Sequence, residues 1–195
     1  MNKKLLLVFL SLVMLGILIS GCEEEVPPQY ITMRWGIPGE IEGFPGLERQ
    51  PQGLEVEQVD EDTLQVLWQA EDSYILPISA TADQALEGVR YQGQKIPAHL
   101  ELEWLDPWEE EWYPVEAVPE DRIKAVIEKE NGLFSIDFGP PEGAHFEEDM
   151  TRLAWFRVTP REEGTFEFTV YGYQDIDGKP QATNEITARI TVIEP

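Results

Sequence analysis

Trp104, Trp108 and Trp112 recur at every fourth position, with Asp106 and Glu109-Glu110-Glu111 standing between them. Half of the chain's six tryptophans fall in this one stretch. Rings flanked by carboxylates suit a carbohydrate- or cation-binding face, the rings stacking on the ligand and the acids accepting from its hydroxyls. A second reading stands beside it: Trp104 continues the apolar face of a strand, and Pro107 and Pro114 mark loops whose aromatics lid a core. Asp175-x-Asp177-Gly178 has the spacing that opens a Ca²⁺ loop. An EF-hand fails, because counting from Asp175 the fifth position is Lys179 and the twelfth is Ile186. A Ca²⁺ site built by Asp175 and Asp177 with acids from another loop, and a hairpin turn with polar caps, both remain open.

The inventory for catalysis is thin. His99 and His145 are the only histidines, no serine sits in Gly-x-Ser-x-Gly, and no Gly-rich phosphate loop is present. His99, Glu101 and Glu103 share one strand face and have metal-ligating side chains, but alternating polar residues facing water explain them as well. Paired carboxylates for glycoside hydrolysis cannot be singled out among 38 acids. The expectation is a non-enzymatic protein without a cofactor, Ca²⁺ being the one ion its acids would serve.

The 195 residues carry 38 Asp and Glu against 14 Lys and Arg, a net charge of −24, with 42% hydrophobic residues. That is enough apolar material for a core, and far too much negative charge for a nucleic-acid partner. Fifteen prolines and fifteen glycines, spread along the chain, favour short elements joined by turns. A single cysteine allows neither an internal disulfide nor a cysteine-based zinc site.

That cysteine has a distinctive setting. Asn2-Lys3-Lys4 is a short cationic start, and Leu5 to Ile19 is apolar except at Ser11 and Gly16. As a helix this run spans about 22 Å, short of the roughly 30 Å hydrocarbon core, which favours a cleaved leader over a permanent span. Ile19-Ser20-Gly21-Cys22 resembles the lipobox of bacterial lipoproteins: an apolar residue, two small ones, then Cys. The resemblance implies cleavage before Cys22, a thioether-linked diacylglycerol on its thiol and acylation of the new amine. An ordinary secretory leader would instead leave Cys22 a free thiol. Two or three acyl chains, at about 0.8 kcal/mol per buried CH₂, make a lasting anchor. Cleavage removes two lysines and no acid, taking the charge to −26. Residues 22–29, with Glu23-Glu24-Glu25 and Val26-Pro27-Pro28, read as a solvated, stiff tether repelled by anionic headgroups. The expected location is the extracytoplasmic face of the cell membrane, held by lipid.

Strand-like alternation is the main structural signal beyond the tether. Leu64, Val66 and Trp68; Ala98, Leu100, Leu102 and Trp104; Phe134, Ile136 and Phe138; Phe166, Phe168 and Val170; and Ile186, Ala188, Ile190 and Val192 each alternate with polar residues. Ile123, Ala125 and Ile127 extend the pattern to Pro119–Lys129, which reads as strand although a helix face also fits. Ala82–Leu86 is expected to form at most one helical turn. Short loops between these runs predict an all-β, antiparallel sandwich.

In the C-terminal half, Gly139-Pro140-Pro141-Glu142-Gly143-Ala144-His145-Phe146, Trp155, Thr159-Pro160, Gly164-Thr165-Phe166-Glu167-Phe168-Thr169-Val170, Asp175-Ile176-Asp177-Gly178 and Ile190-Thr191-Val192 follow one another. This resembles bacterial immunoglobulin-like and cadherin-like repeats, departing from them in the longer spacing from Trp155 to Pro160. The resemblance implies an Ig-like β-sandwich used without catalysis for spacing, adhesion or ligand binding. The expected layout is a leader (1–21), a tether (22–29), a β-rich portion (30–96) that is a separate smaller unit or part of the same sandwich, and an Ig-like sandwich (97–195). Its expected role is a surface module binding a protein or glycan partner. The alternatives are a polysaccharide-acting enzyme or its carbohydrate-binding accessory, and a Ca²⁺-stabilised adhesin. Substituting Cys22→Ala is expected to abolish metabolic labelling of the protein by palmitate and to move it from the membrane pellet to the soluble fraction.

Overall fold

The computed structural model describes residues 31–36, 55–176 and 179–195. Fourteen strands are described: β1 (Ile31–Trp35), β2 (Glu55–Gln58), β3 (Thr63–Gln69), β4 (Tyr74–Ala82), β5 (Leu86–Pro97), β6 (Leu100–Asp106), β7 (Glu111–Pro114), β8 (Lys124–Glu130), β9 (Leu133–Gly139), β10 (Ala144–Phe146), β11 (Thr151–Pro160), β12 (Gly164–Ile176), β13 (Lys179–Ala182) and β14 (Ile186–Ile193). A 3-10 turn at Val115–Ala117 follows β7. The strands build two sheets, a smaller one ordered β1-β4-β11-β6-β7 and a larger one ordered β2-β3-β14-β12-β5-β9-β8, with β10 beside β5 and β13 beside β12. The fold is an all-β, Ig-like sandwich.

The alternating runs explain the layering. Ile186, Ala188, Ile190 and Val192 of β14 are buried while Arg189 is exposed, and Leu64, Val66 and Trp68 of β3 are buried while Gln65 is exposed. A one-residue slip would turn each of these sets outward, so burial fixes the register. Between the sheets, Phe138 meets Phe156 edge-on at 5.1 Å, and Trp35 meets Phe168 at 6.1 Å. Trp35 Nε1 also donates to Thr187 O at 2.9 Å, tying β1 to the opposite sheet. The Trp68 ring stacks on Tyr74 at 4.6 Å, and the Tyr74 hydroxyl accepts the Gln69 N–H at 2.6 Å.

Two features differ from the sequence expectation. The pairing of β3 with β14, from Thr187↔Thr63 to Ile193↔Gln69, is parallel rather than antiparallel. A parallel pair needs a long crossover, and here nearly the whole sandwich supplies it. Residues on both sides of position 97 contribute to both sheets, since β3 pairs β14 and β4 pairs β11. Ala82–Leu86, expected to form at most one helical turn, forms none: Ala82 ends β4 and Leu86 opens β5 in the other sheet, both buried, with exposed Asp83, Gln84 and Ala85 crossing between them. Finally, Ala98 and His99 turn the chain before β6 instead of belonging to it. Pro119–Lys129 does contain a strand, β8.

A glycine pair closes the turn before β10. Gly143 has φ +81° and its N–H donates to Pro140 O at 2.8 Å; a Cβ there would lie 2.4 Å from the Gly88 Cα. Gly132, at φ +78°, has open space instead. Gly132→Ala is therefore expected to cost about 1 kcal/mol, the left-handed penalty alone. Gly143→Ala should cost at least about 2 kcal/mol more, because backbone must also move. Denaturant melts of both variants check the difference.

Candidate functional site

Asp106 ends β6 abruptly. It is 0% exposed, its Oδ1 accepts the N–H groups of Trp108 at 2.8 Å and Glu109 at 3.3 Å, and its carbonyl accepts that of Glu110 at 2.9 Å. This is an Asx-type turn, in which a carboxylate substitutes for the next strand residue as hydrogen-bond acceptor. The turn swings Pro107–Glu110 away from the sheet and returns the chain as β7. Tyr113 braces the loop by donating to Glu109 Oε2 at 2.9 Å, and this bond is the chief reason its phenol is pushed up to about 12.

The early turn leaves β11 longer than its neighbour. β11 pairs with β4 along Thr151–Val158 but with β6 only along Phe156–Pro160. Among the described residues, Thr151–Ala154 therefore have a strand neighbour on one side only. Beside that free edge lies a notch of about 120 Å³ that opens between the sheets, walled by Trp104, Trp155, Tyr91, Phe138 and Ile123. Burial pushes the Tyr91 phenol up, as an apolar wall requires. Trp108 stands at the mouth, 68% exposed, and Leu153 is exposed on the free strand. Two guanidiniums flank the opening. Arg122 lies over the Trp108 ring at 5.6 Å and pairs with Glu109 at 3.0 Å, while Arg152 reaches across to donate to His145 O at 2.6 Å.

The three tryptophans singled out by spacing thus go to three places. Trp104 is 6% exposed within the main core, where it forms part of the notch wall and no surface face. Trp108 is at the mouth. Trp112 lies on the outer face of the smaller sheet, half-buried over Ile75, Leu105 and Trp155, with the Arg157 guanidinium 4.8 Å above its ring. A spacing of four would align them on one continuous strand, and the Asp106 turn prevents that. Spacing gave no sign of Arg122, Arg152 and Leu153. The available signal was Leu153, an apolar residue between Arg152 and the alanine of a strand whose other face carries the core.

A second concavity, an open groove of about 640 Å³, bears on catalysis. Its carboxylates are tied to cations: Glu71 and Glu101 to Arg161, Glu103 to Arg157 at 2.5 Å, and Glu116 to Lys129 at 2.5 Å. Arg161 holds the Glu101 carboxyl below its usual range, opposite to the upward shift a glycosidic general acid needs. His99 does not join Glu101 and Glu103; its ring packs on Phe166 at 4.4 Å, with Nδ1 3.9 Å from Glu162. Among the described residues no three His, Cys, Asp or Glu side chains are grouped to hold a metal ion. Asp177 and Cys22 lie outside the described residues, and of Asp175 the structure describes only the backbone, which pairs with Pro180.

No protein-family model matches the sequence, and no curated protein matches it. Similarities to solved structures are distant. A family 123 glycoside hydrolase from Clostridium perfringens is similar at 10% identity and a TM-score of 0.44, over 85% of this chain and 28% of that one. The CARDB domain of a Pyrococcus furiosus protein is similar at 9% identity and a TM-score of 0.36, over 85% of this chain and 98% of that one. A cohesin module from a Clostridium perfringens family 33 glycoside hydrolase is similar at 12% identity and a TM-score of 0.37, over 72% of this chain and 96% of that one. This chain spans little more than a quarter of the family 123 enzyme. At such scores the site rests on its own geometry.

The different surroundings of the tryptophans have a measurable consequence. Trp104→Ala is expected to destabilise the fold by about 3–5 kcal/mol, and Trp108→Ala by less than about 0.5 kcal/mol. Iodide quenching of tryptophan fluorescence should fall markedly in the Trp108 variant.

Proposed function

We propose that the protein is a lipid-anchored, extracytoplasmic, non-catalytic binding module that takes a polypeptide partner at the notch beside Trp108. The observation that carries the reading is the junction of an exposed tryptophan with an apolar notch and a free strand edge, Thr151–Ala154. A free edge offers main-chain hydrogen bonds to an extended segment, while the notch admits its alternate apolar side chains. An exposed aromatic at the rim is the side-chain type that dominates interface energetics. The anchoring half of the reading is supported by the Leu5–Ile19 run and by Ile19-Ser20-Gly21-Cys22.

The partner's chemistry follows from charge. The chain carries −24, Arg122 is already paired with Glu109, and Glu110, Glu111 at the start of β7, Glu120 and Asp121 are exposed beside it. A segment alternating apolar and basic residues is attracted by that field, and an acidic one is repelled. The test is an NMR titration of the mature chain with synthetic peptides alternating valine with lysine or with glutamate. The valine–lysine peptide is expected to shift the amides of Thr151–Trp155 and the Trp108 indole, and Trp108→Ala to weaken binding about tenfold. Shifts scattered over the acidic surface, or binding indifferent to Trp108→Ala, would overturn the reading.

A further inference from the structure

The outward face of the larger sheet carries a second arrangement, remote in kind from the notch. Alternation turns Arg90, Gln92 and Gln94 of β5, Asp137 of β9, and Tyr171 and Tyr173 of β12 to this face, while Val89, Ile136 and Val170 point to the core. Register makes them neighbours: Tyr171 stands opposite Gln92, Tyr173 opposite Arg90, and Gln92 opposite Asp137. Tyr171 donates its hydroxyl to Gln92 Oε1 and accepts from Gln94 Nε2 at 3.1 Å. Tyr173 donates to Asp137 Oδ2 at 2.5 Å, and Arg90 Nε donates to the other oxygen of the same carboxylate at 3.0 Å.

The Tyr173 bond fixes the pose of its ring. Asp137 lies two strands from Tyr173, across β5, a gap of about 9–10 Å at sheet spacing. A tyrosine closes that gap only when its side chain lies along the sheet, across β5. Tyr171 and Tyr173 are each half-buried, with ring centroids 6.2 Å apart and planes tilted by 50°. Elsewhere this face is occupied by ordinary sheet-surface pairs, Thr165 with Thr191 and Arg189 with Glu167. Among the described residues of this face, only here do phenols, amides, a carboxylate and a guanidinium converge.

We propose that Tyr171, Tyr173, Gln92, Gln94, Arg90 and Asp137 form a platform that binds an uncharged glycan. The rings supply stacking surface for the apolar face of a sugar. Amides and phenols both donate and accept, as hydroxyl-rich ligands require. The charges on Arg90 and Asp137 cancel at 3.0 Å, which leaves a neutral patch on a strongly acidic chain. An anionic polymer is repelled by the whole molecule, and within the platform Asp137 is already paired with Arg90 and offers a cation no unpaired carboxylate, so the hydroxyl-binding groups suit a neutral polyol. Its side chains are held by one another before any ligand arrives, which lowers the ordering cost of binding. Burial first, and then the bond to Asp137, push the Tyr173 phenol up to about 12, so it keeps its proton well above neutral pH.

The test is affinity electrophoresis of the mature chain in gels containing soluble β-glucan, xylan, galactomannan or, as the charged control, polygalacturonate, followed by calorimetry with oligosaccharides of the glycan that retards it. At least one neutral glycan is expected to retard the protein and polygalacturonate to have no effect. Tyr171→Ala and Tyr173→Ala should each weaken binding at least tenfold. Gln94→Ala, which removes one amide and no ring, should weaken it about threefold with an unchanged melting temperature, guarding against loss through misfolding. Trp108→Ala should leave it unchanged, which separates this proposal from the peptide notch. Failure of all three neutral glycans to retard the chain, or retardation that survives the tyrosine and Gln94 variants, would overturn it.

Discussion

The inner faces of the two sheets bury each other, and every surface feature of the molecule is what that burial leaves outside. Each fully buried aliphatic or aromatic side chain contributes about 1.5–3 kcal/mol, so a strand such as β14, with four residues inward, has no competing register. Once the inward positions are assigned, the outward ones follow from the pleat. Tyr171 and Tyr173 flank Gly172, which is buried toward the core, and Gln92 and Gln94 flank Gly93 in the same way. The polar platform and the apolar core are two sides of one constraint.

The notch arises where that constraint is interrupted. A sheet continues laterally as long as neighbouring strands keep pace, and β6 stops while β11 runs on. The cause is local and polar: one buried carboxylate satisfies backbone donors that a continuing strand would have satisfied. Its second oxygen, Asp106 Oδ2, is buried without a hydrogen-bond partner among the described residues, a cost of about 1–3 kcal/mol. Stability is thus given up at the residue that shapes the opening, while the walls of the opening remain ordinary core.

Much of the architecture was legible in the sequence, because period-two alternation reports directly which face of a strand is dry. It identified the strands around Leu64–Trp68, Phe134–Phe138 and Ile186–Val192, and favoured strand over helix at Ile123–Ile127. What alternation cannot carry is the identity of a strand's neighbour. The parallel pairing of β3 with β14 was therefore missed, and so was the adjacency of Gln92, Asp137 and Tyr171, which come from three strands far apart in the chain. The tryptophan spacing misled for a related reason. Regular spacing implies a shared face only within one unbroken element, and Asp106 divides this one. Trp108 was legible as an aromatic in a loop after Pro107; Trp104 was equally legible as core.

The place of β14 sets a condition on how the molecule comes into being. This last strand lies inside the larger sheet, with β3 on one side and β12 on the other, and its partner Thr63 precedes Thr187 by most of the described chain. Contacts of such long sequence separation form late and slowly, since the entropy of closing the loop is lost before the pairing is gained. A nascent chain that has not yet delivered residues 186–193 leaves β3 and β12 with bare edges facing each other across an empty slot. The sandwich is completed from its C-terminal end, and until then it is a collection of sticky strands, the state in which a polypeptide most needs keeping from its neighbours.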